Sequence, residues 1–380
     1  MKETVYLDNS STTKPCEQAV AAVTAALCDN WGNPSSLHEL GVAAELAVTD
    51  ARRAAASAIG AEENEIYFTA SGTESDNTAV ISAAQSLKKR GRRIVTTAVE
   101  HHAVLNTVDR LESEGFEVIR LKPDKNGNIS AQDIADAVNG ETVLVSIMLV
   151  NNETGAIFPV EAAHRAIKQT GAPALLHCDA VQAFGKLPID VKKLGVDLLT
   201  VSGHKIHAPK GVGALYVRRG VHIPPLITGG GQERGLRSGT EAVPNICGFG
   251  AAVKALPELS GQMKLQQELF DYTAEKLTKQ AGAVINSPDG CLPYILNISF
   301  EGFRSETLLH FLEAKGIYVS SGSACAKGEG SHVLNAMGLS RARVDGALRI
   351  SFSRYNTKAD ADKLTAALCE ATAKLRRARL

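Results

Sequence analysis

Val196-Asp197-Leu198-Leu199-Thr200-Val201 runs without a break into Ser202-Gly203-His204-Lys205-Ile206-His207. The first six residues are rich in branched apolar side chains and too few for a helix, so they read as a strand buried on both faces. A strand that stops on Ser-Gly-His-Lys places an amine at its carboxyl end. About one helix–strand unit upstream, Ala174-Leu175-Leu176-His177 reads as a second such strand and closes on Cys178-Asp179. A lysine amine can hold an aldehyde cofactor as a Schiff base, and a buried carboxylate can keep a heteroaromatic nitrogen protonated so that the ring takes up electrons. Each residue also has an ordinary reading, Lys205 as a solvated loop residue and Asp179 as a turn or cap.

Outward from this pair, Glu65-Ile66-Tyr67-Phe68-Thr69, Arg93-Ile94-Val95-Thr96, Phe116-Glu117-Val118-Ile119 and Val143-Leu144-Val145-Ser146-Ile147-Met148 read as buried strands too, with helix-period segments between them. Such alternation predicts an α/β doubly wound sheet whose ligand site lies beyond the carboxyl ends of its strands. The unusual polar residues fall there. Thr69-Ala70-Ser71-Gly72-Thr73-Glu74-Ser75-Asp76-Asn77 turns from a strand into a helix, where free N–H groups and the helix dipole favour a phosphate. It has neither the G-x-x-x-x-G-K-[ST] nor the G-x-G-x-x-G spacing, so a single phosphomonoester suits it better than a nucleotide; an ordinary capped helix would look the same. Glu100-His101-His102 follows the third strand and Asn151-Asn152-Glu153-Thr154-Gly155 the fifth. Adjacent histidines do not share a helix face and no H-E-x-x-H is present, so no metal is expected. His101 can instead lie over a planar ring, and Asn152 can hydrogen-bond a ring oxygen.

The 380 residues allow a large domain and a smaller one, placed at 13–260 and at 1–12 with 261–380. Lys plus Arg is 41 and Asp plus Glu is 41. A formal charge of zero gives no reason to expect direct binding of nucleic acid or an anionic membrane. The charged start and the lack of any long apolar run predict a soluble, cytoplasmic chain. Seven scattered cysteines without a C-x-x-C pair suggest neither disulfides nor structural zinc. The polar run Asp8-Asn9-Ser10-Ser11-Thr12-Thr13, with Pro15, is expected to cap a helix through Leu27. Gly229-Gly230-Gly231 through Ser238-Gly239-Thr240 cannot be regular structure. A helix over about 262–279 leads to a small α+β unit with strands at Ile295–Phe300 and Ala347–Phe352, closed by a helix after Thr357. Inside it Cys325 stands in a Gly/Ser-rich loop beside Lys327, the setting of a reactive thiol.

Taken in order, Tyr6-Leu7-Asp8-Asn9, Ser202-Gly203-His204-Lys205, Arg237-Ser238-Gly239-Thr240, Ser321-Gly322-Ser323-Ala324-Cys325 and Leu348-Arg349-Ile350-Ser351 resemble the cysteine desulfurase family, a branch of the class V aminotransferases, over nearly the whole chain. The resemblance implies a PLP-dependent, aspartate-aminotransferase-type fold: a large, mostly parallel seven-stranded sheet domain with helices on both faces, plus a smaller α+β domain. It implies pyridoxal 5'-phosphate (PLP) on Lys205, with Asp179 at the pyridine nitrogen, His101 stacked on the ring and shuttling protons, and Asn152 and Gln182 at the ring oxygen. Gly72, Thr73, Ser202 and His204 would hold the phosphate, joined by Thr240 from the partner subunit of a homodimer. Arg349 would grip the carboxylate of L-cysteine, with Asn152 beside it, and Cys325 would be the nucleophile that carries the sulfur to an acceptor protein.

Three departures stand out. The amino-terminal motif carries Ser10-Ser11 where Ala or Asn is usual, and the phosphate turn carries Ser71 where Gly is common. The loop from Cys325 to Leu334 is shorter than in members serving iron–sulfur scaffolds, and the chain stops at Leu380 without their extension, so a tRNA-thiolation partner and a scaffold protein both stay open as acceptor. A related PLP lyase or transaminase such as selenocysteine lyase, or a non-enzymatic sulfur-carrier subunit, would share parts of this pattern.

Overall fold

A computed structural model describes residues 4–321 and 330–377. Its strands are β1 (Val5–Tyr6), β2 (Ile66–Thr69), β3 (Arg93–Thr97), β4 (Glu117–Leu121), β5 (Thr142–Ser146), β6 (Leu175–Asp179), β7 (Leu198–Ser202), β8 (Gly213–Val217), β9 (Val284–Ile285), β10 (Ile295–Ser299), β11 (Ile317–Tyr318) and β12 (Ala347–Ser351). Seven of them form one sheet in the order β2-β8-β7-β6-β5-β3-β4, in which only β8 runs antiparallel to its neighbours. The expected mostly parallel seven-stranded sheet is therefore present. Its central strands β5 and β7 are buried along their whole length, as their unbroken apolar sequence requires. β4 differs from the reading of its segment as buried on both faces: it is an edge strand, paired only with β3, and four of its five residues are partly or fully exposed.

The register sets Asp179 at the end of β6 opposite Thr200 of β7, so the carboxyl ends of these two strands lie side by side. The helix Gly72–Leu87 packs across the sheet and brings its amino-terminal turn to the same rim. β10 pairs with β9 and β12, and the helices Leu259–Ala281, Ser305–Ala314 and Lys358–Lys374 cover this smaller sheet around Leu296, Ile298, Leu348 and Ile350. Val5 and Leu7 join that core, with β1 parallel to β11.

The polar run after β1 does not cap a helix. The helix Glu17–Cys28 starts from Cys16, which makes no side-chain cap. Residues 8–16 instead form a strap between the two sheets. Asn9 Nδ2 donates to the Ser351 carbonyl at 2.9 Å, and the Ser10 N–H donates to the Ser351 hydroxyl at 2.8 Å. The Thr13 and Cys16 N–H groups donate to the His204 and His207 carbonyls, each at 2.9 Å. His207 answers by donating its own N–H to Thr13 Oγ1 at 2.8 Å, although its φ of 66° is unfavourable for a side chain with a Cβ. Of the polar side chains that looked like caps, Thr12 and Thr13 bond the Lys205 turn at His204, Asn9 bonds the Ser351 carbonyl, and Ser11 bonds Asp8 and Arg349.

Candidate active site

A cavity of about 450 Å³ opens at the carboxyl ends of β6 and β7. Of the residues expected at the site, Gly72, Thr73, His101, Asn152, Asp179, Gln182, Ser202, His204, Lys205 and Arg349 all line it, although they come from six separate stretches of chain. Thr240 does not; it is exposed in the 229–240 loop. Cys325 lies outside the described residues. The described chain leaves at Ser320–Ser321 and resumes at Gly330–Ser331, and Ser320, Gly330 and Ser331 line the cavity.

Lys205 ends a single helical turn, Gly203–Lys205, directly after β7. Its amine donates to the Ser10 and Ser11 carbonyls of the strap at 2.5 and 2.8 Å. Burial, with Arg349 and Lys186 nearby, pulls that amine down to about 7, against the opposing pull of Asp8 and Asp179. An amine in this range can both attack a carbonyl and accept a proton near neutral pH. Asp179 is buried, and its carboxylate accepts the Val181 N–H at 2.9 Å. Burial raises it to about 6. A protonated ring nitrogen beside it would restore its charge.

His101 caps the helix His102–Ser113, its Nδ1 accepting the Ala103 N–H at 3.1 Å, and so its ring is fixed at the cavity mouth. Desolvation, the Lys205 amine and the neighbouring His102 and His332 rings hold it down at about 4. It is neutral at pH 7 and able to take a proton. Arg349 comes from β12. Its Nη1 donates to the Asn152 carbonyl at 2.8 Å, and its Nη2 donates to Asp8 Oδ1 at 3.0 Å and to Ser11 Oγ at 2.5 Å. These contacts fix the plane of the guanidinium, while its Nε is buried without a partner.

Three features fit a phosphorylated pyridine ring. The Gly72 turn is closely walled: a Cβ there would meet Val181 Cγ2 at 3.0 Å and the Ser202 Cβ at 3.3 Å. The N–H groups of Gly72 and Thr73 open the helix capped by Ser71, whose hydroxyl accepts the Glu74 N–H at 3.1 Å, and have no carbonyl four residues back to bond. Asn152 Oδ1 is buried at the cavity without a hydrogen bond, so that its amide is left for a bound polar group. No cluster of described residues could hold a metal ion.

The sequence reading missed several groups. Asp8 and Ser11 orient Arg349, and the main-chain carbonyls of Ser10 and Ser11 hold Lys205. The polar density of residues 8–13 was the available signal. Glu100, fully buried, accepts the Met148 N–H and the Thr97 hydroxyl, and burial raises it to about 8. Glu153, also buried and raised to about 7, accepts from the Ser331 hydroxyl at 2.5 Å. The Gly-rich loop is anchored by Glu233, whose carboxylate accepts both Nη groups of buried Arg52 at 2.7 and 2.8 Å and the Phe68 N–H at 2.9 Å.

A family model described as Aminotransferase class-V matches residues 5–364. A cysteine desulfurase IscS from Methanosarcina thermophila is 45% identical over 376 residues, covering 98% of this chain and 93% of that protein. Among solved structures, a NifS-like protein superposes with a TM-score of 0.93 at 40% identity, covering 98% of this chain and all of that one. A structure of SspA in complex with cysteine follows with a TM-score of 0.83 at 36% identity, covering 93% and 100% of the two chains. The cavity at the β6 and β7 ends is thus set in a fold, and in a sequence, shared with those enzymes throughout, and the chain belongs to the cysteine desulfurases of the class-V aminotransferase family.

Proposed function

We propose that the protein is a PLP-dependent cysteine desulfurase that takes sulfur from L-cysteine, releases L-alanine and holds the sulfur as a persulfide on Cys325. The observation that carries this reading is the depressed Lys205 amine, set in one cavity with Asp179, Asn152 and Arg349. Bound there, PLP supplies an electron sink for the charge left at the substrate α-carbon. Gly72 and Thr73 with Ser202 and His204 hold the phosphate, and Thr240 of a second copy completes that subsite in a homodimer. Asp179 would hold the pyridine nitrogen protonated, and the Asn152 amide with the remaining N–H of Gln182 Nε2 would meet the ring oxygen. Arg349 orients the substrate by its carboxylate, its fixed plane offering a donor that a lysine could not place.

Lys205, once its amine is free, takes the proton from the substrate α-carbon. His101, neutral and at the cavity, would lie against the bound ring and move a further proton at the substrate. The Cys325 thiolate attacks the substrate sulfur; a sulfur–sulfur bond forms, the carbon–sulfur bond breaks, and its electron pair stays with the carbon that becomes the alanine methyl group. The persulfide then passes to an acceptor protein. An iron–sulfur scaffold protein and a tRNA-thiolation partner both stay open as that acceptor.

The test is direct. Purified protein supplied with PLP should turn yellow and form equal amounts of alanine and, with a reductant, sulfide from L-cysteine. Lys205→Ala should lose turnover, and Cys325→Ala should keep the yellow colour and lose persulfide. A wild-type protein that takes up no PLP overturns the reading, and cysteine turnover unchanged by Cys325→Ala would turn it toward a lyase.

A further inference from the structure

Lys186 stands on the turn that follows β6 and is 7% exposed. Its Nζ donates to Gln182 Oε1 at 3.3 Å and lies 5.8 Å from the centre of the Tyr294 ring. Among the described residues no carboxylate pairs with it. A small cavity of about 30 Å³ that it shares with Lys205, His207 and Arg354 is lined by no acid. Burial, then Arg349, lowers this amine to about 8, which leaves it charged at neutral pH. A buried cation without a counter-ion is costly and needs a reason.

A lysine ammonium only donates. Its contact therefore identifies the oxygen end of the Gln182 amide, and Nε2 faces the Ser10 carbonyl at 3.0 Å. That same carbonyl accepts the Lys205 amine. Lys186, Gln182, Ser10 and Lys205 thus form one continuous chain of contacts. The other charges around Lys205 are accounted for. Asp8 is paired with Arg349 at 3.0 Å, Asp179 lines the same cavity and pulls the Lys205 amine upward, and the His101 and His204 rings are both held down at about 4 and so are neutral at pH 7. Lys186 and Arg354, whose Nη1 donates to the Ala255 carbonyl, are the cations of the small cavity that have no carboxylate partner among the described residues, and Lys186 is the one joined to Lys205 by the chain of contacts.

From this geometry we propose that Lys186 is a positioning residue for the reacting lysine: its unpaired buried charge turns the donor end of Gln182 toward the Ser10 carbonyl and biases Lys205 against carrying a second positive charge beside it. The inference rests on the PLP reading of the cavity, since Gln182 and Lys205 are the groups through which it acts.

The experiment is a pH titration of the visible band of PLP-loaded protein, in wild type, Lys186→Met, Lys186→Gln and Lys186→Arg. Both uncharged variants should move the midpoint to higher pH by about one unit, a change of about tenfold in proton affinity. Lys186→Arg should keep the wild-type midpoint. Lys186→Gln keeps a donor to Gln182 and carries the test if Lys186→Met does not fold. Midpoints of the uncharged variants within about 0.2 units of wild type, or a shift in Lys186→Arg as large as theirs, overturn the proposal. Wild-type protein that takes up no PLP refutes the cofactor reading instead. The same comparison is then made on the pH dependence of Lys205 acetylation by acetic anhydride, read by peptide mass spectrometry, with the same expected and overturning outcomes.

Discussion

Arg349→Lys is the sharpest perturbation of substrate recognition. The guanidinium is 5% exposed and spans two walls of the cavity, reaching the Asn152 carbonyl from one nitrogen and both Asp8 and Ser11 from the other. A lysine brings one nitrogen to one point. It can keep one wall, and it cannot hold a carboxylate with a planar fork while doing so. Each hydrogen bond to a charged group contributes about 1.5–3 kcal/mol, and the substitution removes one anchoring contact and one arm toward the substrate. Partial repair by the ammonium offsets some of this, leaving a loss of about 3 kcal/mol. At about 1.4 kcal/mol per factor of ten, kcat/KM for L-cysteine should fall on the order of a hundredfold. Most of the loss should appear in KM, because the carboxylate carries the same charge before and during the reaction. The assay is alanine formation against L-cysteine concentration, with wild type and variant matched for PLP content by absorbance. A variant within threefold of wild type would remove Arg349 from carboxylate recognition.

Three further outcomes are expected. Below about 7 the Lys205 amine carries a proton and cannot take another, so turnover should rise as pH passes through that value and level off above it; a flat profile between pH 6 and 8 contradicts the assignment of the base. Glu233→Gln leaves buried Arg52 without its charged partner and should lower stability by about 3 kcal/mol in chemical denaturation, where a change under about 1 kcal/mol would mean that the loop is anchored elsewhere. Gly72→Val should weaken PLP affinity at least about tenfold in equilibrium dialysis, with the far-ultraviolet circular dichroism unchanged, because its side chain is forced against Val181 and Ser202; undiminished affinity would move the phosphate away from this turn.

The strands that carry Asp179 and Lys205 were legible because both are central: burial on two faces demands an unbroken apolar run, and a polar residue at its end is conspicuous. β4 was misjudged because an edge strand needs only one apolar face, which the short run Phe116–Ile119 does not distinguish from two. The lining of the cavity was legible where a polar side chain stands at or just after a sheet strand's carboxyl end, as for Asp179, Gln182 and Ser202. It was not legible where the backbone acts. The carbonyls of Ser10 and Ser11 that hold Lys205 are chemically the same in any residue, and nothing in a local pattern ties residue 10 to residue 205. Asp8 was hidden for a related reason, since its partner Arg349 is distant in sequence and local spacing carries no trace of it.

The strap has a consequence for the order in which the protein is made. Asn9 and Ser10 leave the ribosome more than 300 positions ahead of the groups that seat them, the Ser351 carbonyl and hydroxyl. The seven-stranded sheet is complete once β8 has emerged, and it can fold around a half-built pocket while its own amino terminus stays unplaced. The strap can dock on the Lys205 turn through Thr13 and Cys16, but its Asn9–Ser10 end is clamped only when β12 closes against it. A nascent chain stalled before β12 therefore holds the lysine but lacks Arg349 and the Ser351 clamp on the strap.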